Sequence, residues 1–351
     1  RGRRFDMPVD WRRGVFLLSG VMFYTMSGAQ LRPLLPPGDD VPALPADMAL
    51  RVRRQMFYST LIVTVAFIVS SEVEVLFLNA YDDPHAAGQF KVGYQLASGA
   101  ATLVPGVFGA LLLPMMANAL SQGREVVGRR FAASTAYLML LAAPLVAFGM
   151  VLSDPLIDVL YGAEYEEASG VFAICLAGAA LITSGQAASS LLISADRQRV
   201  VLALTIFCGL LKLGLDAWLI HVDGLRGALI AYAVVATVSV AAYTTLAIRE
   251  CGTAPDWGRM ARTILASALA ATPLLLVHHH LPALVELLVG GALATLYLPI
   301  TLALGCWTRN DIAQMQQLHQ RLLSGRPRFG ARLLAWAHAR APVAAMAGPS
   351  P

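Results

Sequence analysis

Val200–His221, VVLALTIFCGLLKLGLDAWLIH, and Gly227–Ile248, GALIAYAVVATVSVAAYTTLAI, are two apolar runs separated only by Val222–Arg226, VDGLR. A hydrocarbon core of ~30 Å needs roughly 20 mostly apolar residues at ~1.5 Å of helical rise each. Both runs meet that length, so together they read as two successive membrane helices joined by a short turn. Lys212 and Asp216 fall inside the first run, four residues apart and therefore on one helical face. A charged pair in the middle of such a run marks more than an anchor.

Outward from this pair the pattern repeats. Segments near 55–79, 87–119, 131–152, 169–194, 260–277 and 281–306 are also apolar and long enough, which makes eight expected spans in all. A ninth stretch, Gly14 to Leu31, is apolar but short, and Pro33, Pro36, Pro37, Pro42 and Pro45 follow it as an extended linker. Of the 351 residues 57% are hydrophobic and 14% charged, whereas soluble domains carry about a quarter charged residues. Lipid is the solvent this balance suits. Cys175, Cys208, Cys251 and Cys306 are far apart, with no CxxC pair and no zinc-type Cys/His cluster, and read as packing residues. No metal or cofactor site, no Gly-rich phosphate loop, no G-x-S-x-G and no HExxH is present, so enzymatic chemistry has no candidate residue and no nucleic-acid partner is expected.

The formal net charge is +4, but its distribution says more. Arg51, Arg53 and Arg54, then Arg124, Arg129 and Arg130, then Arg197 and Arg199, then Arg249, Arg259 and Arg262 occupy alternate loops, and a basic tail with Arg309 and Arg321 follows. The other loops hold Asp82, Asp83, Asp154, Asp158, Glu164, Glu166 and Glu167, with Arg226 and Lys91 as their basic residues. Positive loops stay in the cytoplasm, so the orientation follows. Ile312, Met315, Leu318, Leu322 and Leu323 space a short amphipathic helix in the tail, read as a solvated or membrane-lying end. The Ala/Pro-rich terminus has the composition of a disordered segment. Trp218, Trp257 and Trp307 stand near span ends as interfacial anchors, and His278–His280 reads as an interfacial turn.

Asp154–Ala168, DPLIDVLYGAEYEEA, is a short amphipathic outer segment that leads into a new span. With Asp154, Leu156, Ile157, Leu160, Tyr161, Gly162, Tyr165 and Ala168 in register, it resembles a signature of polysaccharide flippases. Upstream, AAGQFKVGYQLASGAATLVPGVFGALLLPMMANAL resembles the second helix of their C-terminal lobe, and downstream a G-x-x-G-A step stands at Gly224–Ala228. Over about residues 50–306 the chain resembles the MOP exporter superfamily, which includes O-antigen (Wzx-type) and lipid II flippases and MATE drug exporters. The resemblance implies an all-α transmembrane bundle: residues 1–54 as the last helix of a first lobe and a linker, 55–250 as a six-helix second lobe, 251–306 as two accessory helices and 307–351 as the tail. It implies a flippase for lipid-linked oligosaccharide in the bacterial inner membrane, coupled to H+ or Na+, with membrane lipids and the pathway's glycosyltransferases and polymerase as partners. A MATE-like cation antiporter and a non-transporting partner of a polysaccharide-assembly complex are the alternatives. The opening Arg-Gly-Arg-Arg lacks an initiator Met, so the expectation is a fragment whose first lobe is largely missing.

An ionisable residue in hydrocarbon costs ~2.5–3.5 kcal/mol and usually faces a cavity or a partner. In the first span Thr60, Thr64, Ser71 and Glu74 share a helical face, with Glu72 about 200° round from Glu74. Lys91, Gln95, Ser98 and Thr102 form a second stripe, ending at Pro105, and Thr183, Gln186, Ser190 and Ser194 a third. Equal distance from the outer turn puts Glu74 and Lys91 at one depth, where they could pair. The expected substrate-binding set is Glu74, Lys91, Gln95, Lys212, Asp216 and Arg226: an outer-half cluster of Glu74, Lys91, Gln95 and Asp216, with Lys212 deeper. Lys212, Lys91 and Arg226 would attract phosphate, while Glu74 or Asp216 would take the ion. The plain alternative is that Ser, Thr and Gln glue helices together and each charge pair neutralises itself.

Overall fold

A computed structural model describes residues 46–68, 72–102, 107–276, 278 and 280–309, together with 21, 22, 25, 26, 311–313, 316, 335, 336, 338 and 339. Most of the span expected at 14–31, the Pro-rich linker, Ser71, Pro105, His279 and most of the tail fall outside these. By contacts the chain divides into two compact units, residues 1–56 and 57–351. In the first, the described residues are helical and their described side chains are exposed.

Among the described residues all regular structure is helical. The elements are α1 (Ala46–Ile68), α2 (Glu72–Tyr81), α3 (Pro84–Ala101), α4 (Val107–Ser121), α5 (Arg124–Val151), α6 (Ser153–Tyr161), a 3-10 turn (Ala163–Tyr165), α7 (Glu167–Ser184), α8 (Gln186–Ser194), α9 (Gln198–Cys251), α10 (Trp257–Leu275), α11 (Ala283–Ala294) and α12 (Tyr297–Ala303). Four helical runs among them, Arg124–Val151, Glu167–Ser194, Gln198–Cys251 and Ala283–Ala303, are long and apolar enough to cross a membrane. The 54-residue run holds both stretches quoted at the outset, so five of the eight expected spans lie in these runs. The expected 55–79 span comes as α1 and α2, the 87–119 span as α3 and α4. The 260–277 span is α10, whose first turns carry Arg259 and Arg262.

Local chemistry sets the breaks. Asp83 caps α3, accepting the His85 N–H at 3.1 Å, with Pro84 in the first turn where its missing N–H costs nothing. Within α9, Gly224 has φ +53° and ψ −128°, a conformation for which a side chain is strained. Asp82 accepts the Leu225 N–H at 3.1 Å, and a Cβ on Gly224 would stand 2.3 Å from the same carboxylate. Gly227 lets the returning arm close on the first, since a Cβ there would lie 2.0 Å from the Leu219 carbonyl oxygen. The G-x-x-G-A step is therefore the turn of a helical hairpin.

Hydrophobic clusters hold the second unit together. Leu78, Phe90, Phe172, Leu176 and Ile220 join α2, α3, α7 and α9, while Met116, Phe131, Leu138, Leu191 and Ala247 join α4, α5, α8 and α9. Phe148, Ala270 and Leu274 pack with Val289 and Tyr297, which seats α10–α12 on α5, and Tyr297 donates to the Leu140 carbonyl at 2.7 Å. All four cysteines are free and buried, as packing residues are.

The start of the tail corrects its reading as a solvated or membrane-lying end. Asp311 pairs with Arg259 at 3.3 Å and accepts from the Tyr137 hydroxyl, and Ile312 is buried. Arg259, counted above among the loop arginines, is itself buried, with its guanidinium over the Tyr137 ring and its Nε donating to the Cys306 carbonyl. Apolar spacing near the chain end matched a membrane surface, but part of it serves a protein core.

Candidate functional site

α2 and the first arm of α9 bring three charged side chains together inside the apolar cluster. Lys212 Nζ lies 2.6 Å from Glu74 Oε1 and 2.9 Å from Asp216 Oδ2. Glu74 and Asp216 are fully buried (0% exposed), and Lys212 is buried too. The contact with Asp216 is a hydrogen bond, as the i, i+4 spacing within α9 predicts. The contact with Glu74 is an ion pair by distance, but neither Glu74 oxygen has a partner in hydrogen-bonding geometry, nor does Asp216 Oδ1.

With all three groups ionised, two carboxylates face one ammonium and the net charge is −1. An unbalanced buried charge is expensive, because desolvation is repaid only by close counter-charges and hydrogen bonds. The open lone pairs on Glu74 and Asp216 are where one further positive charge would be accepted. The ammonium, held by both carboxylates, occupies the space between them.

The remaining expected site residues lie elsewhere. Lys91 pairs with Glu72, not with Glu74. Two carboxylates two positions apart on a helix point in nearly opposite directions. Glu72 stands on the exposed side of α2, where Lys91 of α3 meets it, whereas Glu74 turns inward to α9. Gln95 is exposed, and Thr102 on the same stripe is exposed with Ser98 half-buried. The expected outer-half cluster is thus corrected: Lys91 and Gln95 stand outside it, and Lys212 is its centre rather than a deeper outlier. Thr60 and Thr64 are exposed while Glu74 is buried, so the first stripe does not present one environment. Thr183 is buried, and Gln186, Ser190 and Ser194 half-buried, on a run interrupted at Gly185.

Arg226 lines a cleft of about 1520 Å³ at the end bearing the acidic loops. The same cleft is lined by Asp82, Asp154, Asp158, Glu166, Glu167, Asp223 and Glu286, seven carboxylates to one guanidinium. That field repels phosphate, which corrects the phosphate-attracting role expected of Arg226. None of Glu74, Lys212 and Asp216 lines the cleft.

Sequence reasoning missed several residues that organise this end. Gln89 donates to the Glu164 carbonyl at 2.8 Å and accepts the Ala168 N–H at 3.0 Å, clamping the DPLIDVLYGAEYEEA segment where it enters α7. His278 Nδ1 lies 2.5 Å from Glu286 Oε1, and its Nε2 lies 3.8 Å from Asp154 Oδ2, so this residue also ties α11 to α6. Glu286 was visible as an acid inside the apolar stretch ALVELLVGG. The partners of Gln89 and His278, remote in sequence, were not.

Residues 49–170 match the family described as polysaccharide biosynthesis protein. No curated protein matches the chain. The matched stretch takes in α2, α3 and the clamped signature segment, and over it the chain is similar to polysaccharide biosynthesis proteins. Together with helices of membrane-crossing length and apolarity, it makes the chain a membrane protein. The match ends before Lys212 and Asp216, so Glu74 lies inside it and its two partners outside.

Proposed function

We propose that the protein is a flippase that moves a lipid-linked oligosaccharide across the bacterial inner membrane by alternating access, driven by a proton bound at Glu74–Lys212–Asp216. One observation carries this reading: two carboxylates and one ammonium buried together among apolar helices, in a chain whose residues 49–170 match polysaccharide biosynthesis proteins. A structural ion pair needs one acid and one base. The second acid leaves room for a mobile charge, and intramembrane acids of this kind mark ion pathways.

Between proton and sodium, the geometry favours the proton. Lys212 already fills the position between the carboxylates that a metal ion would need, whereas a proton needs only one of the open lone pairs. Protonation brings the triad from −1 to neutral and loosens the hold of one acid on Lys212. That gives helices α2 and α9 two states to which a transport cycle can couple. In this reading Lys91, Gln95 and Thr102 form the hydrated wall along which sugar and phosphate pass, while the polyprenyl tail stays in lipid. No covalent chemistry is performed, and the glycosyltransferases and polymerase of the pathway are the implied partners.

The test is transport by the full chain in reconstituted vesicles, with a fluorescent lipid-linked oligosaccharide and, separately, a small organic cation. Flipping of the oligosaccharide, lost in Glu74→Gln, supports the proposal. Movement of the cation alone assigns a drug exporter, and movement of neither assigns a non-transporting partner of an assembly complex.

A further inference from the structure

At the end opposite the acidic cleft, the ends of α4, α5, α8 and α9 enclose a second pocket, of about 390 Å³. Its polar lining is Arg124, Arg197, Arg249 and Glu250, and its apolar lining includes Val127 and Leu191. The chain's basic loops lie at this end, so it faces the cytoplasmic leaflet.

The three guanidinium groups are not equally engaged. Arg197 is bound to Glu250 through Nε at 3.1 Å and a second nitrogen at 3.4 Å. Arg124 donates to the Arg249 backbone carbonyl at 3.1 Å, covering the C-terminal turn of α9. The Arg249 side chain makes no ion pair or hydrogen bond with the described residues and is exposed. Three positive groups and one negative leave the pocket at +2. Two helices also begin at its rim, α5 at Arg124 and α9 after Arg197, and neither has a side-chain cap on its first turn. Free N–H groups and the positive ends of the helix dipoles add to the arginines' field.

A free anion would need only the basic rim. Val127 and Leu191 beneath it give the pocket an apolar floor, and a ligand that satisfies both parts is amphiphilic. We infer that this pocket binds the phosphate headgroup of an anionic membrane lipid in the cytoplasmic leaflet. Basic pockets between membrane helices on that side suit such headgroups. The inference rests on the chain being a membrane protein and not on the transport reading, so either can fail without the other. The bound lipid would bridge α5, α8 and α9 at the end where the second arm of the hairpin returns.

The experiment counts bound phosphatidylglycerol and phosphatidylcholine on the purified full chain by native mass spectrometry, with inorganic phosphate as a competitor. Phosphatidylglycerol is expected to bind in preference to phosphatidylcholine and to resist displacement by equimolar phosphate. Arg249→Gln, which removes no ion pair or hydrogen bond with the described residues, should weaken it about fivefold, as for one basic group at an anionic surface. Glu250→Gln, which frees Arg197 and raises the pocket's charge, should strengthen it by a similar factor. Arg130→Gln, exposed and outside the pocket, should leave it unchanged. Equal binding of the two lipids, displacement by free phosphate, an unchanged Arg249→Gln, a weakened Glu250→Gln, or an equal loss in Arg130→Gln would each overturn the assignment. The Glu250 variant guards against misfolding, because arginines with only a structural role would make it bind less, not more.

Discussion

The charged residues of α2 and α9 and those along α3 have the same form in the sequence: polar side chains at steps of four in apolar runs. In the fold they part. Glu74, Lys212 and Asp216 are sealed inside an apolar cluster, whereas Lys91, Gln95 and Thr102 line an open face and Lys91 is answered by a half-exposed ion pair with Glu72. Helical spacing reports which residues share a face, but not whether that face is packed. Burial decides what each charge costs, and only the sealed set has a cost large enough to drive a coupled step.

The sharpest way to break this contrast is Lys212→Ala. Two carboxylates would then be buried without a counter-ion, and the loss should be about 3–5 kcal/mol, with transport abolished while the chain still inserts into membranes. Thermal unfolding in detergent and vesicle flipping read the two effects separately. Next in size, Lys212→Met combined with Glu74→Gln and Asp216→Asn should recover most of that stability, since a neutral core has no charge to balance, yet transport should stay lost. Recovery of transport would make the triad a packing device only. Smaller still in stability, Glu74→Gln alone leaves Lys212 paired one-to-one with Asp216, so unfolding should shift little while proton-driven flipping disappears. At the bottom of the scale, Lys91→Ala removes an exposed pair worth about 0–1 kcal/mol, and its unfolding midpoint should be nearly that of the unaltered protein. A loss comparable to that of Lys212→Ala would erase the distinction between the two regions.

Much of the fold was legible because lipid imposes a simple length rule. Apolar runs of about 20 residues fixed the helices of α5, α7–α8, α9 and α11–α12, and the VDGLR turn fixed the hairpin inside α9. The Lys212–Asp216 pair was legible for the same local reason, the i, i+4 geometry of one helix. Glu74 was picked out but given the wrong partner. Its true partner lies far along the chain on α9, and no periodicity within α2 or α3 encodes that approach. Gln89 and His278 share this limit, because each acts on backbone or side chains brought near by packing. Ile312 shows the converse: an apolar residue reads alike whether it meets lipid or a neighbouring helix.

The central claim, that the buried triad carries the driving proton, is tested most directly by flipping a lipid-linked oligosaccharide under an imposed pH gradient at equal sodium on both sides. A pH gradient is expected to drive flipping by the full chain and none by Glu74→Gln, with a sodium gradient driving neither. Flipping by Glu74→Gln at the unaltered rate, or flipping that follows sodium instead of protons, would contradict it.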